Sequence, residues 1–201
     1  GQIGAIGRGV LTMVLAIVGR WRHVELAFGA VGVNVSVVEL RQRNYADRFL
    51  AELAAHGIEP EVVRVEVVES IFTAVHDEPA RQNLRALARA GVDVALDDFG
   101  SGFASLSRLS RETVDCIKID RTFTSRIETC DETVRLVGML VEMASFLGFR
   151  VTAEGVETEG QRRILVELGC DVLQGNSISP PLDWTEVRGW LVAGQNVVDA
   201  A

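Results

Sequence analysis

The chain has 201 residues, 48% of them apolar and 24% charged, with four prolines and three cysteines. That composition excludes a disordered tail, a collagen and a small disulfide-held scaffold, and it suffices for one soluble globular domain with its own core. Lys and Arg number 20 against 28 Asp and Glu, a net charge of −8. Such a surface is a poor binder of DNA or anionic membrane, so a phosphate-bearing partner must be met by local cations.

The most apolar run, residues 10–18, is flanked by Arg8 and Arg20 and falls short of the roughly 20 residues that cross a bilayer. No small-residue cleavage site follows it, as a signal peptide requires. It reads as part of a buried helix over residues 6–21, with no membrane insertion by this segment. From residue 31 onward, short β-branched runs alternate with longer helix-periodic segments. Strands are predicted over 31–36, 63–69, 92–98, 114–120, 150–154 and 171–175, and helices over 44–56, 79–90, 131–147, 159–168 and 184–192. Gly57, Gly91 and Gly169 stand where three of these helices stop. Residues 193–201 are expected to form a flexible tail. Cys116, Cys130 and Cys170 are widely spaced and lack a CxxC, which reads as reduced thiols in a cytoplasmic protein.

Alternating strands and helices imply a parallel sheet with helical crossovers, the α/β class. Successive strand residues face opposite ways. With Asn34, Glu66, Asp97, Lys118 and Glu154 on one face, their neighbours on the other are Val33, Val35, Val65, Val67, Val94, Leu96, Ile117, Ile119, Val151 and Ala153, all apolar. A doubly wound sheet wants apolar residues on both faces. A TIM-type (β/α)8 barrel with polar groups at the carboxyl rim of its strands explains the asymmetry better. Six strands are counted, so the barrel is incomplete. Two strands are expected before Gly1, which makes residues 1–201 a single, N-terminally truncated domain whose gap exposes strand edges and apolar surface.

The rim holds Asn34, Glu66, Asp97, Asp98, Lys118, Glu154 and, further round, Gln174. An all-oxygen donor set without His or Cys favours Mg²⁺ or Mn²⁺ over zinc. Left alone, these carboxylates repel one another and repel phosphate. Two divalent ions reverse that, attract a phosphodiester and activate water for in-line attack, while Lys118 orients the nucleophile or steadies negative charge. Any one of these residues could be a helix cap, a turn residue or a structural ion-pair partner. Five consecutive strands presenting a polar group at one rim are hard to obtain from solvation alone. His23, His56 and His76 read as surface or packing residues, Cys116 as barrel filler, and Trp21, Trp184 and Trp190 as packing anchors or part of an interface.

The ordered set Asn34, Glu66 with Glu69, Asp97-Asp98-Phe99-Gly100-Ser101-Gly102, Ile117-Lys118-Ile119-Asp120, Ala153-Glu154-Gly155-Val156-Glu157 and Gln174-Gly175 closely resembles the EAL-domain family of cyclic-di-GMP phosphodiesterases. The resemblance implies Mg²⁺- or Mn²⁺-dependent hydrolysis of cyclic di-GMP to pGpG in bacterial second-messenger signalling. It implies that Asn34, Glu66 and Asp97 hold one metal ion and Asp98 binds or bridges to a second, with Glu154 and Lys118 positioning the attacking water. Glu69 is expected to anchor the loop after Asp98, and Glu157 and Gln174 to line the substrate. Residues 99–109 are expected to form a mobile lid tied to dimerisation and regulation. A homodimer, or upstream sensor or GGDEF-type domains, are the implied partners.

The Glu-Ala-Leu signature that names the family is absent from the 201 residues, and with it a metal-ligating Glu and a phosphate-contacting Arg. Val68 replaces the usual Thr, Phe103 the common Tyr, and Asn176 an aromatic. Either the chain is a fragment of a longer protein, or it is a degenerate member. The alternative function is therefore a catalytically impaired domain acting as a cyclic-di-GMP receptor or protein-interaction module. A different metal-dependent barrel enzyme, such as an enolate former, is a more distant one.

Overall fold

The computed structural model describes residues 2–23, 26, 28–72, 77–100 and 113–198. The chain enters through α1 (Gln2–His23), β1 (Val31–Asn34), α2 (Val37–Leu40) and α3 (Tyr45–Ala55). A 3-10 turn (Pro60–Val62) precedes β2 (Val63–Val68), and a second (Glu69–Phe72) follows it, before α4 (Glu78–Arg89) and β3 (Asp93–Phe99). The rest comprises β4 (Cys116–Ile119), α5 (Arg121–Thr124), α6 (Asp131–Leu147), β5 (Arg150–Ala153), α7 (Glu159–Glu167), β6 (Val172–Leu173) and α8 (Trp184–Val198).

All six strands lie in one sheet in the order β1-β2-β3-β4-β5-β6, with every neighbouring pair parallel. A doubly wound sheet reverses its strand order at a switch point. Uninterrupted sequential order is instead the wall of a (β/α) barrel, and the six strands form an open part of one. The expected incomplete α/β barrel is the fold observed.

Local signals account for the elements. Ser36 caps α2 through a reciprocal box with Glu39, and Thr158 caps α7 with Gln161 in the same way, each satisfying two backbone donors left open at a helix start. Gly57, Gly91 and Gly169 have φ of +63°, +99° and +88°, the left-handed geometry that ends a helix without a side-chain clash. Along α1, Leu11, Leu15 and Val18 are buried on one stripe, so its apolar run packs on the core. Among the described residues no helix is long and apolar enough to cross a membrane. Two expectations at the ends differ: α1 runs past 6–21 at both ends, and α8 continues through residues 193–198, expected as tail. Of the lid expected at 99–109, only Phe99 and Gly100 fall among the described residues, and His76 and Phe103 lie outside them.

The convex face carries the core. Val33, Val65, Val67, Val94, Leu96, Ile117, Ile119, Val151 and Ala153 are buried and join one cluster with Leu53, Leu84, Leu87, Val137 and Leu165 of the covering helices. Each buried Val, Leu or Ile contributes about 1.5–3 kcal/mol, which fixes the register, since a one-residue slip would turn the whole set outward. All three cysteines are free; burial pushes the Cys170 thiol up to about 11. Cys116, buried as expected of a filler, lies 3.4 Å from Thr152 Oγ1.

The concave face has two ionic layers. In the lower one, Asp93 Oδ2 accepts from Arg64 Nε at 3.0 Å, from Arg64 Nη2 at 2.7 Å and from Arg150 Nη2 at 2.5 Å. Arg150 on β5 reaches Asp93 on β3 past the intervening β4, so the belt ties β2, β3 and β5 together. Burial opposes ionisation of Asp93, but its bonds to Arg64 and Arg150 overcome this and hold the carboxyl below its ordinary range. The upper layer is the candidate site.

Candidate active site

Strand register brings the rim residues together. Asn34 pairs with Glu66, Glu66 with Ala95, Ala95 with Cys116, and Lys118 with Thr152. Asp97, two residues beyond Ala95, and Glu154, two beyond Thr152, therefore lie on the same face as Glu66 and Lys118. At the centre Lys118 Nζ stands 2.6 Å from Glu154 Oε1, 2.8 Å from Glu66 Oε2 and 3.3 Å from Asp97 Oδ1. Lys118 is only 5% exposed. Burial alone would lower its pKa, but the hydrogen bonds to Glu154 and Glu66 hold it above the ordinary lysine range, so it is charged. Glu154 is shifted upward, by burial first, against the opposing pull of Lys118 and with added repulsion from Asp97 and Glu66.

Alternation along β3 would send Asp98 to the convex face. Instead the pairing of β3 with β4 shifts between Leu96 and Phe99, and Asp98 takes φ +54°. Such an irregularity re-aims a side chain. Here it lets two consecutive carboxylates serve one hollow: Asp97, Asp98 and Glu154 each offer an oxygen within 4.8 Å of the others. A left-handed non-glycine residue costs roughly 1–3 kcal/mol and persists at functional sites. Burial first, then a hydrogen bond with Asp120 and repulsion from Asp97, raise the Asp98 pKa. Asp120, held low chiefly by Thr122, caps α5 by accepting from Thr122 N at 2.7 Å.

The residues fit a divalent cation. Their donors are all oxygens, three acids converge, and Asp97 Oδ1 is buried without a hydrogen bond, despite its ion-pair distance to Lys118. A hard cation supplies the partner such an atom lacks.

Of the remaining rim residues, Asn34 is exposed at the end of β1, across from Glu66. Glu69 is buried, and its Oε2 accepts from Gly100 N at 3.2 Å, so it grips the backbone just past Asp98. Gln174 N donates to Ala153 O at 2.9 Å and Gln174 O accepts from Val156 N at 3.0 Å, flanking Glu154; the side chains of Gln174 and Glu157 are exposed. At Gly175 an added Cβ would lie 2.3 Å from both the nitrogen and the oxygen of Val156, so only glycine allows this approach. A cavity of about 310 Å³ between α1, α2 and α3, lined by Gly7, Leu11, Tyr45 and Phe49 among others, includes none of the ring acids.

Three further features bear on the site. Asp120 belongs to the site through Asp98; its position one residue past β4 is the available signal. The Arg64–Asp93–Arg150 belt has the same parity as Glu66, Asp97 and Glu154 and could have been read from it. Lys118 is the only lysine in the chain, beside nineteen arginines.

Comparison with known proteins gives one consistent family. The EAL domain profile matches residues 1–181. The chain is 34% identical over 191 residues to the oxygen sensor protein DosP of Escherichia coli, covering 95% of this chain and 24% of DosP. It superposes on the MucR phosphodiesterase of Pseudomonas aeruginosa in complex with cyclic di-GMP, with a TM-score of 0.87 and 30% identity, over 93% of this chain and 75% of that one. It also superposes on Klebsiella pneumoniae BlrP1 in complex with manganese and cyclic di-GMP, with a TM-score of 0.76 and 28% identity, over 86% of this chain and 43% of BlrP1. The chain spans about a quarter of the length of the curated relatives it matches.

Proposed function

This chain belongs to the EAL-domain family, and we propose that it hydrolyses cyclic di-GMP to pGpG by metal-assisted attack of water. The observation that carries the reading is the convergence of Glu66, Asp97, Asp98 and Glu154 around one buried lysine. Four carboxylates against one ammonium repel a phosphodiester; the same ring neutralised by cations attracts it. Asn34, Glu66 and Asp97 would hold one Mg²⁺ or Mn²⁺, and Asp98 a second. Bound there, divalent ions neutralise the phosphate and lower the pKa of water.

The chain's own residues supply the rest. Lys118 holds one Glu154 oxygen at 2.6 Å, which fixes the other for a hydrogen bond from the attacking water. Burial raises the proton affinity of Glu154, so it is suited to take the water's proton as the new P–O bond forms; the ring's P–O bond breaks and the leaving ribose oxygen takes up a proton from solvent. Lys118 also faces the charge that develops on phosphate. Glu69 steadies the backbone after Asp98 through Gly100, while Gln174 and Glu157 line the dinucleotide at the adjoining rim.

Leu136, Met139 and Phe146, exposed along α6, support a homodimer, and the greater length of the relatives supports sensor or GGDEF-type domains in the whole protein. Its proposed place is the cytoplasm of a bacterium. The test is incubation with cyclic di-GMP, with and without Mn²⁺, resolving products chromatographically. Metal-dependent pGpG is expected, lost together with Mn²⁺ affinity in Asp97→Asn. Tight ligand binding without product selects the receptor reading.

A further inference from the structure

We propose that Lys118 is the resident cation of this site before a divalent ion arrives, and that its ammonium competes with that ion for the same carboxylate oxygens. The inference rests on the metal-dependent reading above and concerns how the ring exists without its ions. Lys118 Nζ lies within 3.3 Å of acids from β2, β3 and the end of β5. Residue choice supports this. The chain uses arginine at nineteen of its twenty basic positions and lysine only here. A planar guanidinium forks toward one or two carboxylates, whereas a compact ammonium can be surrounded by three.

The grouping of the acids points the same way. Asp97, Asp98 and Glu154 converge within 4.8 Å, whereas the Glu66 oxygen is held by Lys118 at 2.8 Å. Two of the three acids on Lys118, Asp97 and Glu154, belong also to the converging trio. An ion entering the trio therefore shares two of its acids with the ammonium. Asp97 Oδ1, at 3.3 Å and without a hydrogen bond, is the one held least. The ammonium thus holds the ring's acids together, at the expense of metal affinity.

Because the chain has one lysine, ¹⁵N-lysine labelling yields a single side-chain ammonium resonance. In the free protein it is expected to be visible, and during Mg²⁺ titration to shift or broaden in step with saturation followed by calorimetry. A resonance unmoved at saturation overturns the proposal while leaving the metal reading intact. The second measurement is Mn²⁺ affinity by electron paramagnetic resonance. Lys118→Met should bind about tenfold tighter than wild type or more, the scale of one like-charge repulsion a few ångströms away; equal or weaker binding contradicts competition. Should Lys118→Met fail to fold by circular dichroism, the wild-type resonance decides alone. Failure of wild type to bind either ion removes both readings together.

Discussion

Asp93 is the keystone of the lower ionic layer, and Asp93→Ala isolates what that layer contributes. The substitution removes the acceptor of three charge-assisted hydrogen bonds, at 2.5, 2.7 and 3.0 Å. It leaves the Arg64 side chain, 15% exposed, without its partner, while Arg150, 52% exposed, can turn into water. Breaking a buried ion pair from one side costs roughly 3–5 kcal/mol, and the escape of Arg150 puts Asp93→Ala near the lower end, about 3 kcal/mol. Asp93→Asn, which keeps an acceptor and loses the charge, should cost less. Urea unfolding with an unchanged slope is the assay. A loss under about 1 kcal/mol would show that the belt behaves as a screened surface pair and would refute its role as a tie between β2, β3 and β5.

Gly175→Ala should be costly for a steric reason: its Cβ meets Val156 backbone at 2.3 Å, and relief means displacing the bonds Val156 N to Gln174 O and Ser177 N to Val156 O. A loss of about 2–4 kcal/mol is expected from overpacking and weakened hydrogen bonds, read by thermal unfolding; a neutral variant contradicts the close approach. The pH response of the lower layer has two opposing parts. Asp93, depressed when folded, contributes stability above the unfolded carboxyl range that is lost as pH falls through its folded pKa. Asp115 lies beside this layer, its Oδ2 accepting from Val94 N at 2.9 Å; raised by burial, it contributes below that range and loses this as pH rises through its folded pKa. Asp115→Asn should therefore be as stable as wild type or more so at pH 7, the difference shrinking toward pH 4; marked destabilisation at pH 7 contradicts this sign.

Most of the fold was legible because the forces that made it are periodic. Alternation in Val63–Val68, Asp93–Phe99 and Cys116–Ile119 separates an apolar face from a polar one, and the parallel register then aligns Glu66, Asp97, Lys118 and Glu154. What alternation could not supply is the re-aiming of Asp98, since a shift in strand pairing with φ +54° is a local departure from the period. The contact of Asp120 with Asp98 depends on that departure and was hidden for the same reason. Arg64, Asp93 and Arg150 were readable in parity, but parity alone does not show ion pairing across an intervening strand. Helix ends at Gly57, Gly91 and Gly169 followed from backbone sterics. The continuation of α8 to Val198 carried no comparable stop signal.

The most direct measurement is equilibrium binding of cyclic di-GMP to the same protein after chelation and after addition of Ca²⁺. Four acids outnumber one lysine at the rim, so the ligand should bind weakly in chelator and many-fold more tightly with the ion. Equal affinity in both conditions would mean that the carboxylates do not face the phosphates, contrary to the electrostatic account of this site.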